Sequence, residues 1–438
     1  MWYNLELTKD SEEYYMNILV IGNGFDLAHG LPTKYTDFLE FCKRVFPIYE
    51  NVEGRGVHLY QQEDLFDWDF NKEIKEKLKS AYESRRKVIV KGNKTQTQTN
   101  YPRLDEMYLV IKDNIWIEYF LQCNMYQKGN WIDFESEVSK VIQSLDDDMH
   151  EKRIECQIDK LSNEYLSETF LYKGFEALFR DENGERGGKQ SISFEELKNR
   201  LYEELNNLIR ALEIYLCEYV EKIDINEKSS DIDKSEIDFI LSFNYTHIFS
   251  KLYNVSSQSK QEVVDPFDYL HGEAKIDNTI ETNNMVLGID EYLSKERRNK
   301  ETEFIAFKKF YQRIYKQTGS EYKRWIEIIK NQMQEIDDKI KKQYPIQIPY
   351  NKIPNKCRNQ LFIFGHSLDI TDKDVLKEMI LNDNVYTTIY YPDKKELGRK
   401  IANLVKVIGQ DELIRRTGGS TKTIQFVLQK PMEKIKGL

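Results

Sequence analysis

The stretch Ile18-Leu19-Val20-Ile21-Gly22-Asn23-Gly24-Phe25-Asp26-Leu27-Ala28-His29-Gly30-Leu31-Pro32 turns an apolar run of strand length straight into a helical pattern through Gly22-Asn23-Gly24. In doubly wound α/β folds a strand–glycine turn–helix brings backbone N–H groups close to a nucleotide phosphate. Glycines also occur in such turns for tight packing alone, and both readings stand at this point. Leu27 takes the last position of a G-x-G-x-x-G, so the dinucleotide fingerprint is incomplete. Asp26 at a helix start is expected to cap backbone donors. A carboxylate there repels phosphate, so the turn is expected to meet a ribose or base. The helix is expected to run on to about Phe46.

The chain has 438 residues, 40% hydrophobic and 13% aromatic, which suffices for a packed core. A mean hydropathy of -0.66 implies much solvated helix surface. The net charge of -10 disfavours a general electrostatic grip on nucleic acid, though a local basic groove stays open. Cys42, Cys123, Cys156, Cys217 and Cys357 are scattered and form no C-x-x-C. They are expected to be reduced, with no disulfide framework and no structural zinc. No stretch approaches transmembrane length and no signal-peptide core is present. A cytoplasmic protein without membrane association is expected.

Residues 1–15 read as an appendage ahead of a composite domain over 16–438. Strands are expected at Ile237–Phe243, Tyr269–Leu270, Val286–Ile289, Gln360–Phe364, Val385–Tyr390 and Thr423–Leu428. About 60–225 reads as a helical insertion, with loops at 50–62, 91–102 and 170–192. Two helices are expected over 103–149, broken near Gly129. Within the insertion, Leu197, Leu201, Leu205, Leu208, Leu212 and Leu216 align one apolar stripe after Ser193, a fair N-cap. Residues 291–343 read as charged helix, followed by helices Asp372–Leu381 and Lys394–Val407. The fold class is α/β, a Rossmann-like mainly parallel sheet with the insertion over the strand C-terminal ends, where ligands bind.

Four further motifs sit at strand or helix ends. Asn244 in Ser242-Phe243-Asn244-Tyr245-Thr246 suits a ligand hydroxyl or a water, or equally a local turn bond. His247 reads as a surface or capping residue. His271 in Leu270-His271-Gly272 is a candidate general base, with a purely structural histidine as the alternative. Phe364-Gly365-His366-Ser367-Leu368-Asp369 repeats the opening design. His366, Ser367 and Asp369 are too close in sequence for a triad, and G-x-S-x-G is missing. A backbone-plus-hydroxyl nucleotide contact fits them better. Trp131-Ile132-Asp133-Phe134-Glu135 opens a helix, with Asp133 placed to cap and Glu135 to face a cleft.

Taken together, these lines resemble the AbiH family of bacteriophage abortive-infection proteins, over residues 16 to about 390. A more distant likeness is to sirtuin-like domains: Gly22, Gly24, Gly30 and Pro32 match their opening spacing, and Asn244, His271 and Gly365-His366-Ser367 their later lines. The resemblance implies an antiphage protein that cleaves the glycosidic bond of NAD, as substrate, or of a related nucleotide. It implies His271 as general base and Asn244 on the ribose or water; Asp26, in the opening motif, is a further catalytic candidate. It also implies Gly22, Asn23, Gly24, Phe25, His29, Pro32, Gly365, His366, Ser367 and Asp369 around the nucleotide, with no bound metal. Asp26 and Thr246 depart from the sirtuin pattern. A metal-dependent nuclease using Asp26, Asp133, Glu135 or Asp369 is the first alternative. The second is a non-catalytic nucleotide sensor acting through a homo-oligomer, with a phage-derived trigger.

Overall fold

The computed structural model describes residues 15–50, 69–90, 100–123, 132–155, 161–162, 191–233, 236–253, 265–343, 359–419 and 422–435. Strands β1 (Asn17–Ile21), β2 (Phe239–Ser242), β3 (Phe267–Tyr269), β4 (Asn359–Phe364), β5 (Val385–Tyr391) and β6 (Ile424–Leu428) form one sheet. Their order is β3-β2-β1-β4-β5-β6, and every pairing is parallel. β2 and β5 are buried throughout, as parallel strands covered on both faces require. This is a Rossmann-like α/β arrangement whose strand order reverses between β1 and β4. The register pairs Ile21 with Phe364, so the turns after them lie side by side.

Alternation along the strands feeds two cores. Leu19, Ile21 and Ile240 face the helical layer, where α2 (Tyr35–Glu50), α5 (Ile115–Gln122), α6 (Phe134–Glu155) and α7 (Phe194–Tyr215) pack. Ile18, Val20 and Leu241 face the other side with Trp325 of α10 (Tyr322–Gln343) and residues of α11 (Lys373–Ile380) and α12 (Lys394–Ile408). The leucine stripe of α7 is buried, and Ser193 Oγ accepts the Glu196 N–H at 3.2 Å. Past Tyr215 the helix loosens into a π turn over Leu216–Val220.

Three expectations are corrected. The opening helix is two, α1 (Asn23–Ala28) and α2, because Gly30 takes φ 77° and Pro32 follows. α4 (Pro102–Ile111) and α5 break at Asp113, with φ 57°, and Asn114 caps α5 through the Trp116 and Ile117 N–H groups. Val286–Ile289 forms no strand; a single parallel bridge joins Ile289 to Lys308. An added Cβ at Gly288 would lie 2.8 Å from Phe307 O, so the residue before that bridge must be glycine.

The expected appendage, the loop at 50–62, most of 91–102 and 170–192, and the break at Gly129 lie outside the described residues. Cys42, Cys123 and Cys217 are free and buried; Cys156 and Cys357 lie outside the description. Among the described residues no helix is long and apolar enough to cross a membrane.

Candidate functional site

At the switch between β1 and β4 the two glycine turns close on each other. Gly22 N–H donates to Phe364 O at 3.3 Å, Gly24 N–H to Gly365 O at 2.8 Å, and Phe25 N–H to Gly22 O at 2.7 Å. A Cβ on Gly24 would sit 2.7 Å from Gly365 O, and one on Gly365, at φ +70°, 2.1 Å from Phe25 N. The glycines therefore permit backbone-on-backbone packing, and three N–H groups of the turn already have partners. Asn23 is exposed at the rim, its Oδ1 accepting from Thr33 Oγ1 at 2.6 Å.

Asp26 does not cap α1, whose N-cap position is Gly22 without a side-chain bond. Its carboxyl turns inward instead, only 1% exposed, and accepts from Thr246 Oγ1 at 2.7 Å. Oδ1 has no hydrogen-bond partner among the described residues. Burial raises this carboxyl to about 7, against the bonds from Thr246 and Asn244 and with help from Glu221. Asn244 Nδ2 donates to Gly22 O at 3.1 Å, tying the end of β2 to the β1 turn. His29 is buried: its Nδ1 lies 2.7 Å from Phe25 O and its Nε2 2.8 Å from Tyr253 Oη. Ser229 N–H donates to the same Oη, so the tyrosine donates to Nε2 and His29 is neutral with its proton on Nδ1. Pro32 O accepts from Tyr215 Oη at 2.7 Å. His247 opens α8 (Ile248–Leu252) without capping it; its ring bridges Glu221 at 3.1 Å and Glu273 at 2.8 Å.

A second polar cluster gathers beyond the strand ends. His271 follows β3, His366 follows β4, Asp372 precedes α11, Glu135 lies in the first turn of α6, and Lys309 opens α9 (Lys309–Tyr315). Asp372 stands between the histidines, 3.5 Å from His271 Nε2 and 3.4 Å from His366 Nε2. Lys309 Nζ lies 2.6 Å from Glu135 and 3.6 Å from Asp372. The Lys309 backbone is fixed by its N–H bond to Ile289 O at 2.9 Å. Phe243, at the tip of β2, packs between the imidazoles, its centroid 4.2 Å from His366 and 5.6 Å from His271.

The protonation pattern follows from the partners. Leu368 N–H donates to His366 Nδ1 at 2.9 Å, so the proton of His366 faces Asp372. Burial lowers the pKa of His271, although Asp372 opposes this, and its Nδ1 has no partner among the described residues. Burial works against charge on Asp372, yet Lys309 and the two imidazoles outweigh it and hold the carboxyl well below its usual range. Burial likewise opposes charge on Lys309, but the surrounding carboxylates keep it cationic. Burial, with Asp372 and Asp133 adding, raises Glu135 to about 7 against the pull of Lys309. Burial also lifts Asp290 to about 6.

The turn after β4 is constrained. Gly365 and Leu368 have φ of 70° and 60°, and the Leu368 side chain is fully buried, so a non-glycine residue is held in a costly conformation. Ser367 is exposed, and its Oγ accepts the Asp369 N–H at 3.3 Å, while Asp369 caps Thr371. His366 thus partners Asp372 and forms no triad with its neighbours. Asp133 caps α6, Oδ1 accepting from Glu135 N–H at 3.1 Å. Trp131 lies outside the described residues.

Sequence reading missed Lys309 and Asp372. Lys309 hides in a charged run, and Asp372 reads as a helix-start acid. Of the four carboxylates suggested for a metal, Asp26 belongs to the other cluster and Asp133 caps a helix. The Lys309 ammonium lies against Glu135 and Asp372. Among the described residues no group of three or more His, Cys, Asp and Glu is placed to hold a metal ion. A cavity of about 450 Å³ lies apart from the cluster, at the β3 edge, lined by Asp265, Asp268, Tyr269, Glu273 and Glu321. Two of its acids are engaged, Asp268 by Tyr322 N–H and Glu273 by His247 and Lys275.

A parallel sheet in this order, with an acid–base cluster beyond its strand ends, defines a Rossmann-like α/β protein. A model of the family described as bacteriophage abortive infection AbiH matches residues 18–391, from β1 through β5 and across the whole cluster. The chain belongs to that family and is a bacteriophage abortive-infection protein. No curated protein and no solved structure gives a significant match.

Proposed function

We propose that the protein hydrolyses the N-glycosidic bond of NAD or a related nucleotide, depleting it in the infected cell. The observation that carries this reading is His271, whose Nδ1 has no partner among the described residues while Nε2 faces an ionised Asp372. A neutral imidazole so oriented can take a proton from water and have the resulting cation stabilised by the carboxylate. Water attacks C1′ of the ribose, the C1′–N bond breaks, nicotinamide leaves neutral with the bonding pair, and the proton passes to His271. Glu135, once ionised, and Asp290 stabilise the cationic character of the ribose in the transition state. Gly365, Ser367 and Asn23 form the rim that meets the rest of the nucleotide. Asn244 and Asp26 act through the Gly22 turn.

The test is nicotinamide release from NAD by the purified full chain, and NAD levels in phage-challenged cells. Release that disappears in His271→Ala and Asp372→Asn supports the reading. Intact NAD during a protective response overturns it. Full protection by His271→Ala would favour the non-catalytic sensor instead.

A further inference from the structure

The turn that carries His366 is gripped from outside the cluster. Lys400 of α12 donates from Nζ to the His366 carbonyl, and one turn on Asn403 Nδ2 donates to the Ser367 carbonyl at 3.0 Å. Lys400 is 4% exposed, and burial lowers its amine to about 8. The nearest acid on the same helix, Glu396, is paired with Arg399 at 2.6 Å. A buried ammonium on one neutral acceptor is an expensive arrangement, and an aliphatic side chain of equal length would be cheaper there. What the ammonium accomplishes is local. It pulls the His366 carbonyl toward α12 between two left-handed residues, Gly365 and Leu368, and the imidazole is left facing Asp372.

We propose that Lys400 is a positioning residue of the cluster, holding His366 on Asp372 by fixing the peptide that follows it. Without that bond the left-handed turn relaxes, His366 leaves Asp372, and the carboxylate keeps only one of its imidazole partners. The kinetic part of this inference rests on the proposed glycosidic cleavage; the geometric part does not.

The experiment uses the full chain with labelled histidine, and follows the His366 ring signals and their pH titration by NMR. Lys400→Met is expected to move both, leaving the ring signals of His29 in place. It is expected to lower kcat for NAD about tenfold or more with little change in KM. Lys400→Gln, which keeps a donor, restores most of both readouts. Unchanged His366 signals and titration in Lys400→Met overturn the inference. Should that variant fail to fold, Lys400→Leu is read in its place, and unmoved His366 signals there overturn it equally. Shifted signals in a chain that leaves NAD intact retain the positioning role and remove the cleavage reading. NAD cleavage with unmoved signals does the reverse.

Discussion

His271 Nε2 lies 3.5 Å from Asp372 Oδ1, and the carboxylate's other oxygen lies 3.4 Å from His366. One acid thus orients imidazoles delivered by two strands from opposite halves of the sheet. In Asp372→Asn the amide keeps the volume and loses the charge that stabilises a protonated His271. NAD cleavage is expected to fall by about 10²–10⁴ in kcat. Steady-state assays of nicotinamide release check this, and a loss under threefold would show that the His271–Asp372 pair takes no part.

Glu135 sets the second expectation. Burial, then Asp372 and Asp133, place its titration at about 7. The ionised form is the one that stabilises positive charge on the ribose, so kcat/KM is expected to rise from pH 5 to 8 with a midpoint near 7. Glu135→Gln should abolish the midpoint near 7, leaving only the lower limb set by protonation of His271, and lower the rate about 10–100-fold. Lys309→Met removes the cation that holds Glu135 down, and should move the midpoint upward. The pH profile decides: one that keeps its midpoint near 7 in Glu135→Gln assigns the titration to another group.

Much of the sheet was legible because strand ends are written locally. An apolar run followed by Gly22-Asn23-Gly24, by Ser242-Phe243-Asn244, or by Phe364-Gly365-His366 announces both the strand and the rim. His271 was legible for the same reason. Lys309 and Asp372 were not, since their roles arise only where distant segments meet. Lys309 reaches the cluster through the Ile289 bridge, which no local pattern reports. Asp372 is freed for the cluster because Asp369, three residues earlier, caps the turn in its place. Asp26 was misread for a related reason. Sequence places it near a helix start, where acids usually cap, while the fold turns it toward Thr246.

The buried carboxyl of Asp26 makes stability depend on pH. Its value in the folded chain is about 7 against 3.8 ordinarily. Between those values the folded protein holds a proton that the unfolded chain releases, so stability falls as pH rises through that window. The loss is on the order of 4 kcal/mol by pH 8. In Asp26→Asn the amide oxygen still accepts from Thr246 and the charge is gone. This variant is expected to equal the parent only below the ordinary value of 3.8 and to exceed it by a growing margin up to pH 8. Urea melts across that range measure the difference, and parallel curves for the two proteins would refute it.

Gly365 and Gly30 both have positive φ, yet their substitutions should differ sharply. A Cβ on Gly365 would lie 2.1 Å from the Phe25 nitrogen, inside the joint between the β1 and β4 turns, whereas nothing lies within 4 Å of one on Gly30. Gly30→Ala therefore bears only the left-handed backbone penalty, about 1–2 kcal/mol. Gly365→Ala adds a backbone clash that neither turn can relieve without separating β1 from β4. Its loss should exceed that of Gly30→Ala by several-fold in free energy, or prevent folding altogether. Thermal melts of the two variants, side by side, give the comparison. Equal losses would mean the turns are not held together as tightly as Gly24 N–H on Gly365 O requires. They would also reopen the Gly22–Gly24 turn as a cradle with free donors for phosphate.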